Sequence, residues 1–281
     1  MRLLTKILFL AHLLIPLTVL ASEPLIIARR GSMVDAPENT LLAIQKAVDS
    51  GADAVWLSLQ LTKDNEIVLY RPADLKTLTN LQGPVSAYTA AELHQADAGY
   101  WYGKPAYPWR GKKLSIPTLA AVLQRWPGTF FFLNIKGRNA PPQLFSVLLQ
   151  DTLETSNSLN RVRVYAADER YLNALPATID RFESQNETQA VLADVTENHR
   201  CIVSPSVIEK WYSLKYPQEI QSEGARWQQA QVNEAIRCLK KNRFAKVILL
   251  GGSDKTLYQT AKTLHADGVL VESPALFSKK S

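Results

Sequence analysis

The sequence predicts a (β/α)8, or TIM, barrel carrying a small insertion after its third strand. Three observations lead there. Continuously apolar, β-rich runs alternate with amphipathic helical patterns along most of the 281 residues, the mark of a parallel sheet covered by helices. Eight or so such units fit the roughly 250 residues that one barrel needs. No Gly-x-Gly-x-x-Gly turn is present, so a dinucleotide-type open sheet loses its main support.

In chain order, strands are expected at 25–28, 54–61 and 67–70, then at 130–136, 162–166, 190–193, 201–204, 246–250 and 268–272. Each is a short apolar run such as Leu25-Ile26-Ile27-Ala28 or Val247-Ile248-Leu249-Leu250. Helices are expected at 40–50, 119–126, 143–155, 168–175, 227–241 and 254–265, where apolar residues recur at helical spacing. The first of these follows Pro37-Glu38-Asn39-Thr40. The stretch 71–117 breaks the alternation. It is rich in Pro, Gly, Tyr and Trp and reads as an insertion on one βα loop, roughly 72–117.

Composition narrows the class. Hydrophobic residues make up 46% and charged residues 21%, which excludes a disordered tail, a collagen-like rod and a polytopic membrane protein. Arg2 and Lys6 precede an almost wholly apolar stretch, 7–20, that ends in Val19-Leu20-Ala21. This is the pattern of a cleaved secretory signal over 1–21. At fewer than the ~20 apolar residues a span requires, and interrupted by His12 and Pro16, it is not expected to remain as a transmembrane segment. The mature barrel domain, 22–281, is therefore expected to be exported, periplasmic or secreted. Arg2 and Lys6 supply two of the six excess positive charges. The modest remainder, mixed along the chain, does not suggest nucleic acid as a partner. Cys201 and Cys238 admit either a disulfide or two small buried apolar residues.

In a barrel the site lies at the C-terminal ends of the strands. There the chain reads Ala28-Arg29-Arg30-Gly31, then Trp56-Leu57-Ser58, then Tyr70-Arg71-Pro72, then Asn134-Ile135-Lys136-Gly137. With Pro37-Glu38-Asn39-Thr40, Glu92-Leu93, Ile116-Pro117-Thr118-Leu119 and the closing Asp267-Gly268-Val269, these blocks in this order resemble the glycerophosphodiester phosphodiesterase family. The resemblance covers 25–137, weakens, and returns at 267–274.

The resemblance implies a barrel enzyme of lipid metabolism, a phosphoric diester hydrolase. It implies two histidines as acid and base, and three carboxylates holding a divalent cation such as Ca or Mg. This chain departs from that pattern at all five positions. Arg29 and Arg71 stand where the histidines belong; Trp56, Ser58 and Asn134 stand where the carboxylates belong. Arg30 and Lys136 match. A guanidinium does not deprotonate at accessible pH and cannot cycle a proton. Neutral oxygens and an indole are poor ligands for a hard cation. No catalytic residue, metal or cofactor is therefore expected.

The substitutions share a direction, toward positive charge. Arg29, Arg30, Arg71 and Lys136 form a candidate anion site for a phosphate-containing small molecule or lipid headgroup. Other readings stand beside it. Arg29 and Arg71 could instead pair with Glu38 or Glu272, and Glu38 could serve the following helix N-terminus. Hydrolysis could be rerouted through Asp35, Glu38, Asp64 or Glu272. The cluster Tyr100, Trp101, Tyr102, Tyr107 and Trp109 could seal the mouth, contact a lipid or glycerol moiety, or make the chain a structural or protein-binding module. His94, His199 and His265 fall outside every block and read as surface or core residues.

Overall fold

The computed structural model describes residues 23–137, 140–201, 207–217, 228–251 and 255–278. The leader and the expected strand residues 202–204 lie outside these. The strands are β1 (Leu25–Arg29), β2 (Ala54–Leu61), β3 (Ile67–Leu69), β4 (Phe130–Ile135), β5 (Val162–Ala166), β6 (Lys210–Lys215), β7 (Ala245–Leu250) and β8 (Gly268–Val271). The helices are α1 (Leu41–Asp49), α2 (Ala90–His94), α3 (Leu119–Arg125), α4 (Pro142–Thr155), α5 (Glu169–Ala174), α6 (Gln185–Thr196), α7 (Gln229–Leu239) and α8 (Lys255–Leu264).

Seven strands pair in parallel in the order β5-β4-β2-β1-β8-β7-β6. The sheet curls, and the segment 180–183 spans the gap between its two ends. Val164 N donates to Asp180 O and Phe182 N to Val164 O, both at 2.8 Å, while Glu183 N donates to Trp211 O at 2.8 Å. Arg181 thus makes a parallel bridge with Val164, and 180–183 takes the place of an eighth stave.

Two expectations are corrected. Strand 67–70 is not a parallel member of the ring: β3 pairs antiparallel with β2, off the ring. A parallel crossover needs a dozen or more residues, and only the turn 62–66 separates the two strands. Thr62 N donates to Glu66 O at 3.0 Å, and Asn65 takes φ +65°. The insertion therefore follows an antiparallel strand. The run 190–193 lies within α6, which a capping box between Ser184 and Glu187 starts; four apolar residues do not distinguish strand from helix. Among the described residues, the strand in that part of the chain is β6, hidden from sequence reading by Lys210, Ser213 and Lys215 in its KWYSLK run.

The core divides as barrel geometry demands. Ile27, Ala54, Trp56, Phe132, Tyr165, Trp211, Ile248 and Leu270, one or two from each ring strand, join Phe182 in the lumen. Alternate residues of the same strands pack outward against the helices. Every residue of β2 is buried, because one face meets the lumen and the other the helical layer. The insertion has its own small core of Val68, Tyr70, Leu75, Val85, Leu93, Ala96 and Ile116. Cys201 and Cys238 form a disulfide, which resolves the alternative left open by the sequence and ties the chain beyond α6 to α7.

Carboxylates hold the β2–β3 turn and the turns of the insertion that follows. The Thr62 hydroxyl, with the Ala90 amide, keeps Asp64 below the usual carboxylate range. The Lys76 and Gly83 amides do the same for Asp74. Both groups bind protons more weakly folded than unfolded, so their contribution is full above the ordinary carboxylate pKa of about 4 and is lost as pH falls below it. We expect thermal melts to show a drop in stability across that window. The drop should be smaller in an Asp64→Asn/Asp74→Asn variant, which starts from a lower melting temperature at neutral pH.

Candidate functional site

The C-terminal ends of the ring strands surround a cavity of 560 Å³. Into it β1 brings Arg29 and the following Arg30, β2 brings Trp56 and Ser58, and β4 brings Asn134 and the following Lys136; Arg71 arrives from beyond β3. All seven positions singled out in the sequence thus meet in one place. They meet because they sit at strand ends in matching register: Arg29 opposite Trp56, and Ser58 opposite Asn134.

The turn after β1 is tight. Arg30 N donates to Trp56 O at 2.6 Å, and Arg30 and Gly31 take φ of +53° and +79°. A Cβ on Gly31 would sit 2.7 Å from Ala43 backbone and side-chain carbons, so only glycine lets the chain fold onto α1. Asn39 Oδ1 accepts from Ser58 N at 3.0 Å and ties this loop to β2. Thr40 caps α1 by accepting from Ala43 N.

The ionic pattern is more internal than the sequence suggests. Arg29 pairs with Glu272 at 2.8 Å, across β1 and β8. Arg30 pairs with Glu38, both side chains largely buried; Glu38 therefore serves Arg30, while Thr40 serves the helix. Arg29 and Arg30 thus carry their own counter-charges. Arg71 and Lys136 line the same cavity, as does Lys215 at the end of β6, a cation that sequence reading missed along with its strand. Tyr165 and Gln185 also line it, with Gln185 Nε2 donating to Tyr165 Oη at 2.6 Å. Burial raises the Tyr165 pKa. Tyr165 was legible as the end of an expected strand, whereas Gln185 depended on the unexpected helix α6.

Trp56 forms the floor. The residue is 4% exposed, and its indole packs in the lumen against Tyr165, Phe182 and Phe132 at ring-centroid distances of 5.3, 5.7 and 5.9 Å. Its Nε1 and Lys136 Nζ both donate to Asn134 Oδ1 at 3.3 Å, with the Asn134 amide oriented to accept them.

Other candidates fall elsewhere. Asp35 accepts from Ser32 and Ser273, and Asp64 holds the β2–β3 turn. None of the five insertion aromatics lines the cavity, so they do not seal it. His94, His199 and His265 are exposed.

A profile of the glycerophosphoryl diester phosphodiesterase family matches residues 30–186. An uncharacterized protein of Mycobacterium tuberculosis is 31% identical over 273 residues, covering 90% of this chain and 88% of that protein. The chain belongs to the glycerophosphoryl diester phosphodiesterase family. The crystal structure of that M. tuberculosis protein's glycerophosphoryl diester phosphodiesterase domain superposes with a TM-score of 0.79 at 28% identity, covering 92% of this chain and 99% of the domain. An Oleispira antarctica phosphodiesterase, solved with its product sn-glycerol-3-phosphate, has the same fold. Its TM-score is 0.64 at 20% identity, over 90% of this chain and 95% of that one.

The divalent cation implied by the family resemblance does not fit the residues present. At the three carboxylate positions this chain offers an indole, a hydroxyl and an amide whose oxygen already accepts from Lys136 and Trp56. Among the described residues, no group of three His, Cys, Asp or Glu could hold a metal ion. Glu38 Oε1 is buried without a hydrogen-bond partner, but its other oxygen is bound to Arg30. One shared carboxylate falls far short of the 6–8 oxygens that Ca²⁺ takes.

The indole carries structural weight. Trp56→Ala should cost about 3–5 kcal/mol, because the lumen around it is aromatic and closes only partly over the void. Denaturant unfolding checks this, and a loss under 1 kcal/mol would mean that the indole is not a packed floor.

Proposed function

We propose that this chain is a non-hydrolysing member of its family, exported from the cytoplasm, whose barrel mouth holds a phosphate-containing anion. The observation that carries the reading is the floor of the mouth. An indole packed among Phe132, Tyr165 and Phe182 lies where the family resemblance places a metal-binding carboxylate, and Ser58 and Asn134 are neutral. Arginine at both histidine positions removes the proton shuttle. Losing one positioned acid–base group typically costs ~10²–10⁴ in rate, and two are replaced.

The case for an anion rests on Arg71, Lys136 and Lys215 gathered on one cavity. Arg29 and Arg30 form its rim while held by Glu272 and Glu38. A charge-assisted hydrogen bond contributes about 1.5–3 kcal/mol, so two or three contacts support weak, salt-sensitive binding. Among the described residues no helix is long and apolar enough to cross a membrane.

Two measurements test the proposal separately. With Mg²⁺, Ca²⁺ or Mn²⁺ present, the purified protein should hydrolyse glycerophosphodiesters no faster than buffer. Metal-dependent turnover abolished by a substitution at the mouth would establish an active enzyme with rerouted chemistry instead.

Calorimetric titration with sn-glycerol-3-phosphate and with inorganic phosphate should show binding that weakens as salt rises. An Arg71→Gln/Lys136→Gln variant, which leaves both rim ion pairs in place, should lose roughly tenfold or more in affinity. Absence of binding at millimolar ligand, or unchanged affinity in the variant, would overturn the reading of the mouth as an anion site.

A further inference from the structure

The insertion builds a loop that contributes nothing to the cavity. Its ends meet at one point: Ala98 N donates to Leu114 O at 2.7 Å. Asp97 staples both sides, Oδ1 accepting from Gly99 N at 3.0 Å and Oδ2 from Gly111 N at 2.7 Å. The result is a compact Ω-loop, packed by its own side chains.

Between Gly99 and Lys113 the chain reads GYWYGKPAYPWRGKK, with five aromatic residues, four basic ones and no acid. The Arg110 guanidinium lies 3.8 Å from the Tyr107 ring centroid, 4.2 Å from that of Tyr100 and 5.1 Å from that of Trp101, and its Nε donates to Tyr100 O at 2.9 Å. Trp101 packs edge-on against Tyr100 and Tyr107 yet remains 43% exposed. Lys104, Lys112 and Lys113 of the same loop are exposed as well. The loop is pinned beside the mouth: Tyr102 Oη donates to Val34 O. Val34 is itself 55% exposed, and its amide bonds Glu272 O at 3.4 Å.

We propose that this loop docks the rim of the barrel on an anionic phospholipid bilayer. Tryptophan and tyrosine settle at headgroup level because one part of the ring system is apolar and another is polar. Lysines close to an anionic leaflet gain from its surface potential. A cluster already locked by stacking loses little side-chain freedom on docking. Single-stranded nucleic acid fits less well, since base stacking needs open aromatic faces and Arg110 stacks over Tyr100 and Tyr107. The inference goes beyond the reading of the mouth's ligand, because no residue of the loop lines the cavity.

The test uses the chain from Ser22 onward, which contains every element described above and omits the apolar leader. At low salt it should sediment with phosphatidylcholine vesicles containing phosphatidylglycerol and not with phosphatidylcholine alone. A Lys104→Glu/Lys112→Glu/Lys113→Glu variant, with an unchanged melting temperature, should lose roughly tenfold or more in partitioning. Trp101→Ser should remove the blue shift of tryptophan emission that accompanies partitioning. No partition into anionic vesicles, equal partition into neutral ones, or full partition by the triple variant would each overturn the proposal. So would preferential capture by heparin or an oligonucleotide through the same lysines, which would assign the loop to a soluble polyanion.

Discussion

The aromatic packing in the barrel lumen is the constraint on which the rest of the structure depends. Trp56, Phe132, Tyr165, Phe182 and Trp211 fill the interior between the strands, with ring contacts linking β2, β4, β5 and β6 to the segment 180–183. That segment joins the two ends of the curled sheet through only a few backbone bonds. Phe182 is almost wholly buried among the other rings, so side-chain packing secures what a short ladder would hold weakly. The same indole that fills the lumen sets the depth of the mouth above it.

Charge is arranged around this floor in two ways. Arg29–Glu272 and Arg30–Glu38 bind the turn after β1 to β8 and to its own loop. A largely buried ion pair holds geometry more surely than it adds stability, because desolvation offsets much of the Coulombic gain. Arg71, Lys136 and Lys215 come from different parts of the chain to the same cavity. The family's fold thus carries a mouth lined largely by cationic and aromatic side chains. Fold and chemistry are separable in this way because sites are built on strand ends, whose side chains change without disturbing the ladder beneath.

The insertion follows a similar logic on a smaller scale. It has a separate apolar core, its turns are held by Asp74 and Asp97 accepting backbone amides, and Asp64 of the β2–β3 turn accepts the Ala90 amide. Such local bonding lets a long excursion keep one conformation without a place in the barrel. The Arg110 stack then stiffens the outermost loop beside the mouth.

By itself the sequence determined the barrel class, most of the helices, and the seven mouth residues from Arg29 to Lys136. Those features are local: apolar runs and helical periodicity need no partner to be read, and strand ends mark the site in any barrel. It also carried the expectation of a mouth without acid–base or metal chemistry, since arginine cannot act as a base and neutral side chains are poor cation ligands wherever they sit. Only the tertiary structure decided what depends on partners distant in the chain. It set β3 antiparallel to β2, paired Cys201 with Cys238, and gave Glu272 to Arg29 and Glu38 to Arg30. It also brought Lys215 and Gln185 into the mouth from elements that sequence reading had missed. Pairing is a property of approach in space, and a four-residue apolar run or a lone lysine carries no record of what it will meet.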